Sequence, residues 1–381
     1  MQMASRDLEP QATVHSRSSS RAGCSPSVRR LVLCAVAVVT ALATAAVSQA
    51  KPLLRLKSPS LAEISRAAGP IVDSTIVAPS SLGYVPPGYW GGDYTISTGE
   101  TVTVYASNSY PMDPALEQRW ANFLGSLIHG SEISDVTVLL STADQISRAC
   151  GEDAVACYSP QGGVLYTPGD DPGSDLSAEA VITHEYGHHI AAHRSNAPWE
   201  TLAWGPKRWA SAMQVCARTR KNELVPGAED PVHYVVNPGE GWAETYRVLN
   251  ERQEGIAETP WDIVSQSLYP TAAALSAAEQ DVTSPWTQIA PTAQTVRLTR
   301  TTRVRTFTVA TQLDGTLKVS LRPTRGLRLA VNLSASSTRV AHAVTSASFT
   351  RTTTVCGART YRIRVQALKG QGTVRLLVAK P

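Results

Sequence analysis

The sequence predicts an α+β domain followed by a small all-β domain. Three observations carry that reading. Charge changes sign along the chain: residues 91–290 hold 10 Lys+Arg against 26 Asp+Glu, whereas residues 291–381 hold 16 against 1. Hydrophobic periodicity changes in the same region, from mixed strand and helix patterns to short alternating runs of period two. The length of 381 residues exceeds one average domain, and 43% hydrophobic residues suffice for two cores. Opposite surface charge at such density belongs to two separately folded units, with the boundary set near Pro285 to Pro291.

Residues 1–50 read as an export segment. Arg29 and Arg30 precede an apolar run over 31–47, and Ser48-Gln49-Ala50 supplies small residues at −3 and −1 of a cut after Ala50. A cleaved signal peptide is expected. The alternative is a signal anchor, because about 17 apolar residues is the short end of a membrane span, and the membrane is a partner only if the segment stays uncleaved. Either way the protein is expected to be secreted or associated with the cell envelope. Export leaves Cys150, Cys157, Cys216 and Cys356 in an oxidising compartment. Cys150 with Cys157 would close a short loop that can bend at Gly151. Cys216 with Cys356 would then staple the two domains, or both would remain as buried thiols. Residues 51–90, rich in Pro, Ser and Gly, read as a linker or pro-segment.

Within the acidic region, 91–286, alternation over 101–106 predicts a strand. Asp113-Pro114 supplies a cap and a first-turn proline for a helix reaching about residue 128. A second strand is predicted over 135–141. A third, over 163–167, is short and flanked by glycine and proline in the manner of a sheet edge. Ser174 and Asp175 offer a cap for a helix over 176–193. In the basic region, 291–381, the runs Leu317/Val319/Leu321, Leu327/Leu329/Val331/Leu333, Tyr361/Ile363/Val365 and Val374/Leu376/Val378 predict a β-sandwich. Lys318, Arg322, Arg328, Arg362, Arg364 and Arg375 lie between those positions and should stand on the outer faces.

The chemistry-bearing segment is His184-Glu185-Tyr186-Gly187-His188 on the 176–193 helix. Positions four apart project from one helical face, so two imidazoles can meet one ion, with Glu185 beside them. Chance would place such a motif in roughly 1% of chains of this composition, too seldom to account for it. A catalytic zinc needs a third protein ligand and an open fourth position. Asn237-Pro238-Gly239-Glu240-Gly241-Trp242-Ala243-Glu244 is the candidate segment, with Glu240 and Glu244 on one face of a second helix. One can bind metal while the other orients a ligand histidine. Asn237 and Glu240 also have capping-box spacing, which would give Glu240 a purely structural task. His189 and His193 fall away from the His184/His188 face.

Together the HExGH and E-x-x-A-E segments resemble the gluzincin metallopeptidases and, in local wording, the catalytic domain of anthrax lethal factor. The resemblance implies a zincin-like fold, Zn2+ as cofactor, a peptidase activity on protein or peptide substrate, Glu240 as third ligand and Glu244 as support for His184. Glu244 itself, His233 or another acid are the alternatives for the third ligand. The resemblance also implies a tyrosine shortly before the ligand glutamate that donates to the developing oxyanion. Tyr234 is the match, with His233 as its rival. The expected enzyme is a secreted zinc endopeptidase in which Glu185 transfers the proton and the substrate lies extended against the 163–167 edge. The rival reading is an envelope-binding or adhesion protein with a structural or inactive metal site.

The tail resembles the pre-peptidase C-terminal domains of bacterial peptidases through Val355-Cys356-Gly357-Ala358-Arg359-Thr360-Tyr361 and the closing Gly-rich strand. The acidic positions that bind calcium in such domains are missing here. Its cations suit an anionic cell-envelope polymer, cover for the acidic domain, or simple solvation. No nucleic acid is expected, since no helix-turn-helix, finger or aromatic-interleaved motif accompanies the charge.

Overall fold

A computed structural model describes residues 85–381, except residues 153, 172–175 and 231. The expected export segment, all but the last six residues of the 51–90 linker, and the proposed cap residues Ser174 and Asp175 lie outside the described residues. Among the described residues no helix is long and apolar enough to cross a membrane.

The first region is α/β. A five-stranded sheet has the order β1-β2-β3-β5-β4, formed by β1 (Tyr89–Thr95), β2 (Thr101–Ser107), β3 (Thr137–Leu140), β4 (Cys157–Ser159) and β5 (Val164–Thr167). The three middle strands β2, β3 and β5 are parallel, and β1 and β4 pair antiparallel on the outside. Central parallel strands are covered on both faces, which is why alternate and intervening residues alike are buried: Val102, Thr103, Val104, Tyr105 and Ala106 on β2, and Thr137, Val138, Leu139 and Leu140 on β3. Helix α1 (Pro114–Ser126) starts where Asp113 accepts from the Ala115 N–H, as the Asp-Pro pair predicts. Helix α2 (Ala143–Cys150), closed by a Thr142/Gln145 capping box, was not foreseen; neither were β1 and β4.

The 163–167 segment is a strand but not an edge. It lies between β3 and β4, and β4 takes the outer position. Three residues are too few to display a period, so β4 is invisible to pattern reading. Its Cys157 is bonded to Cys150, and all three of its residues are buried, so the expected docking of an extended substrate along 163–167 has no free edge there.

Helix α3 (Ala178–Ala192) carries the His-Glu motif and follows β5. Three short helices, α4 (Thr201–Trp204), α5 (Lys207–Ala212) and α6 (Val215–Thr219), lead to α7 (Pro238–Glu254) and α8 (Ala272–Thr283). One continuous core joins the sheet to these helices through Trp120, Leu140, Ile182, Tyr186, Trp209, Trp242 and Leu268.

The second region is a β-sandwich of two four-stranded antiparallel sheets. One has the order β10-β9-β12-β7, from β7 (Val304–Thr311), β9 (Arg328–Ala335), β10 (Thr338–Thr345) and β12 (Arg359–Lys369). The other has the order β11-β8-β13-β6, from β6 (Thr292–Leu298), β8 (Gly315–Pro323), β11 (Phe349–Val355) and β13 (Gly372–Ala379). The alternating apolar residues named from sequence meet in one core, including Leu317, Val319, Val331, Leu333, Ile363 and Leu376. The six interleaved cations are all exposed.

Cys216 on α6 is bonded to Cys356, so a disulfide joins the two regions. Asp314, the one acid of residues 291–381, is buried beside it. Its carboxylate accepts from the Cys216 and Gly357 N–H groups, and its own N–H donates to Ser211 Oγ at 2.9 Å.

Candidate metal centre

The centre is built where α3 crosses α7. Ser177 caps α3, accepting from the Ala180 N–H at 3.1 Å, and the helix then runs through the core with its motif residues buried. Asn237 caps α7, accepting from the Gly239 N–H at 3.0 Å, with Pro238 in the first turn. Two features bring the helices close. Gly187 has no side chain where a Cβ would stand 3.0 Å from the Ala243 Cα, and the Trp242 indole N–H donates to the Gly187 carbonyl at 2.7 Å.

That crossing delivers three candidate ligands to one point. His184 Nε2 lies 3.3 Å from Glu240 Oε2, His188 Nε2 lies 3.4 Å from the same oxygen, and the two Nε2 atoms are 3.3 Å apart. His184 Nδ1 sits 2.9 Å from Glu244 Oε1. Burial would lower the His184 pKa, but its hydrogen bonds to Glu240 and Glu244 raise it to about 10; loss of the Nε2 proton to a bound metal would leave Nδ1 donating to Glu244 and the Nε2 lone pair facing the shared point. Three lone-pair-bearing atoms converging in this way is the arrangement a cation satisfies, and the group can hold a metal ion. The side chains are almost closed to solvent, with His184 at 0% and His188 and Glu240 at 2% exposure.

The capping alternative for Glu240 is settled by its partners. The Asn237 N–H donates to the Tyr234 carbonyl instead, and the Glu240 carboxylate faces the imidazoles. Burial would raise the Glu240 pKa, but the two histidines more than offset it and hold the carboxyl well below its usual range.

Glu185 has both carboxylate oxygens buried and without a hydrogen-bond partner. Burial pushes its pKa up to about 8, with His184 acting against the shift and Glu240 adding to it. A buried carboxylate with no protein donor is costly unless something else supplies one. Orphaned oxygens beside a convergent His-His-Glu group fit a metal with an associated water.

Tyr234 is brought to the centre. Its hydroxyl donates to Glu240 Oε2 at 2.7 Å, and burial keeps its pKa well above the usual value, so it remains a donor. His233 is not at the centre: it is half-exposed, with Nδ1 3.0 Å from the Asp230 carboxylate. His189 is a packing residue, stacked on Tyr186 with Nε2 2.8 Å from the Glu132 carbonyl. His193 ends α3 with Nδ1 3.0 Å from the His189 carbonyl.

No protein-family model matches the chain. No curated protein matches it either. Among solved structures, the pre-peptidase C-terminal domain of a collagenase from Bacillus anthracis is similar to 23% of this chain and 89% of its own, at 16% identity and a TM-score of 0.21. The Yersinia pseudotuberculosis-derived mitogen is similar over 24% of this chain and 88% of its own, at 8% identity and a TM-score of 0.21. At such scores neither likeness carries a functional argument, which rests on the site itself.

One close neighbour of the group is not legible in the sequence. Arg247, fully buried, grips Glu244 with Nε at 3.0 Å and Nη2 at 2.7 Å. The signal was present as Glu244, Arg247 and Glu251, spaced three and four apart along α7, but that pattern ordinarily marks a solvated helix face.

Proposed function

We propose that this chain is an exported, zincin-like, gluzincin-type zinc endopeptidase. The observation that carries the reading is the unpartnered, buried carboxylate of Glu185 beside the His184/His188/Glu240 convergence. The donor set of two imidazoles and one carboxylate suits zinc and leaves a fourth position for water. When bound, zinc supplies Lewis acidity toward water and the scissile carbonyl. His184, His188 and Glu240 hold it, and Glu244 orients His184 through Nδ1. Burial raises the Glu185 pKa to about 8, and a bound cation beside it would favour the ionised form; in that form Glu185 takes a proton from the attacking water on a carboxylate oxygen and passes it to the nitrogen of the leaving amine. The phenol of Tyr234, whose hydrogen rests on Glu240 Oε2 at 2.7 Å, would turn from that oxygen to donate to charge developing on the carbonyl oxygen. Protein or peptide is the substrate class.

Export is supported by the 1–50 segment and by two disulfides, which persist in oxidising compartments. The reading includes a secreted or envelope-associated location, with membrane attachment only where that segment stays uncleaved. It also gives the basic sandwich an anionic envelope polymer as partner and no nucleic acid.

One observation favours the rival reading, an envelope-binding protein with a structural metal: the three candidate ligands are at most 2% exposed. Zinc stoichiometry and peptide cleavage by wild type, Glu185→Ala, Glu240→Ala and Glu244→Ala separate the two. On the protease reading, wild type binds one zinc. Glu185→Ala keeps it and loses turnover by about 10²-fold or more, Glu240→Ala loses the metal, and Glu244→Ala binds it more weakly. Full turnover by Glu185→Ala ends the protease reading. A zinc-loaded wild type that cleaves nothing in a mixed peptide library favours the rival.

A further inference from the structure

We infer that Arg247 is a positioning residue of the metal centre, the fork that fixes Glu244 so that His184 presents Nε2 to the ion. This rests on the metal reading above and deepens it. The geometry is closed on every side. Nε and Nη2 donate to the two oxygens of Glu244 at 3.0 and 2.7 Å, and Nη1 donates to both oxygens of Glu251 at 2.8 and 2.7 Å and to the Thr259 carbonyl at 3.3 Å. Glu251 is held in turn by the Thr259 hydroxyl at 2.7 Å and the Thr259 N–H at 3.2 Å. Arg247 and Glu244 are fully buried. A continuous chain therefore runs from the segment after α7 through Glu251, Arg247 and Glu244 to His184, and ends at the ligand nitrogen.

Stability alone does not explain such a network. A buried ion triad gains little over apolar residues of equal volume, because desolvation offsets the attraction. What the planar guanidinium provides is direction. Two parallel N–H···O bonds lock the plane of the Glu244 carboxylate, leaving Oε1 aimed at His184 Nδ1 at 2.9 Å. A lysine at 247 would retain the charge and lose the fork. Partners of this kind, one step removed from a metal ligand, typically change metal affinity 10–100-fold when lost.

The test measures zinc affinity by competition with a chromophoric chelator on the full exported chain. Wild type is compared with Arg247→Lys, Arg247→Met, Glu244→Gln and the double variant Arg247→Met/Glu244→Gln, with far-UV circular dichroism and the metal-free Tm recorded for each. Expected are a 10–100-fold weaker affinity for Arg247→Met and for Glu244→Gln, a double variant about as weak as either single one, and only partial recovery in Arg247→Lys. Visible spectra of the cobalt(II)-loaded proteins should shift in Arg247→Lys, reporting a moved imidazole. A folded Arg247→Met with wild-type zinc affinity overturns the inference, as does strict additivity in the double variant, since a purely structural role lowers the metal-free Tm and leaves the site intact. If Arg247→Met fails to fold, wild-type affinity and an unchanged cobalt spectrum in Arg247→Lys overturn it. A wild type that takes up no zinc ends this inference together with the reading beneath it. Tight wild-type binding with indifferent Arg247 variants ends this inference alone.

Discussion

Two buried carboxylates that no other described residue bonds, Glu185 and Glu117, look alike in isolation and differ in what surrounds them. Glu185 couples electrostatically to His184 and Glu240, two of the three residues that could hold a metal ion, so on the metal reading a loaded centre would meet its cost. Glu117 lies on α1, fully buried, with nothing comparable among the described residues. Burial pushes its pKa up to about 7; its own backbone N–H acts against the shift and Asp113 adds to it. Because the folded-state value is raised above that of the unfolded chain, the folded protein retains a proton that the unfolded chain releases, so stability falls as pH rises from about 4.5 through 7. Glu117→Gln removes that dependence. Thermal melts at pH 4.5, 6 and 8 should show little change at the lowest pH and a higher Tm than wild type at pH 8; parallel pH profiles for the two proteins would refute this. Nothing in the sequence marked Glu117, since a glutamate in the first turn of a capped helix is ordinarily a solvated residue favoured by the helix dipole.

Among elements, the α3/α7 crossing decides whether the centre exists. Gly187 and Ala243 meet backbone to backbone, and a methyl at 187 would fall 3.0 Å from the Ala243 Cα and 3.3 Å from its carbonyl oxygen and the Tyr246 Cβ. Alanine would gain about 1 kcal/mol in helix propensity. Overpacking against rigid backbone costs about 1–3 kcal/mol and outweighs that gain. Gly187→Ala should therefore lower Tm and weaken zinc binding together, because parting the helices withdraws Glu240 from the histidines. Gly241→Ala is the control: the nearest atoms to its Cβ would be the Leu268 side-chain methyls, at 3.1 and 3.2 Å, which can turn aside. Equal effects of the two substitutions would refute the crossing argument. The same helices show how far elements were legible. The caps of α1 and α7 were readable because Asp-Pro and Asn-Pro are local signals. The start of α3 was displaced, with Ser177 capping where 174–175 was expected, because several polar residues in a row compete for one task. The outermost strand β4 was missed because three residues have no readable period.

Across the whole molecule, charge is the dominant feature. Arg322 and Arg375 are exposed and directly opposite each other across the β8–β13 pair, where like charges repel. Asp314, the sole acid of residues 291–381, is buried at the junction with the helical region and is committed to backbone N–H groups, so the sandwich has no acid of its own to compensate them. An anionic polymer laid over this face would relieve the repulsion. Retention on immobilised polyphosphate should fall steeply with salt. Arg322→Ser/Arg375→Ser should elute at lower salt than wild type and should melt higher in the absence of the polymer. Unchanged elution would remove the polymer proposal, and stronger retention on double-stranded DNA than on polyphosphate would redirect it.

Local and periodic information reaches as far as the β-sandwich with its outward cations, the short Cys150–Cys157 loop and the helical pair His184/His188, because side-chain periodicity and short spacings are properties of neighbouring residues. Tertiary structure decided what depends on distant segments meeting: the Cys216–Cys356 pairing over 140 residues, Glu240 rather than His233 beside the histidines, the place of β5 inside the sheet, and the burial of the Arg247–Glu244 pair. The physical reason is burial. An arginine three residues from a glutamate on a helix is an ordinary solvated pair until another helix and a loop close over it; only then does its direction matter to a nitrogen on a different helix.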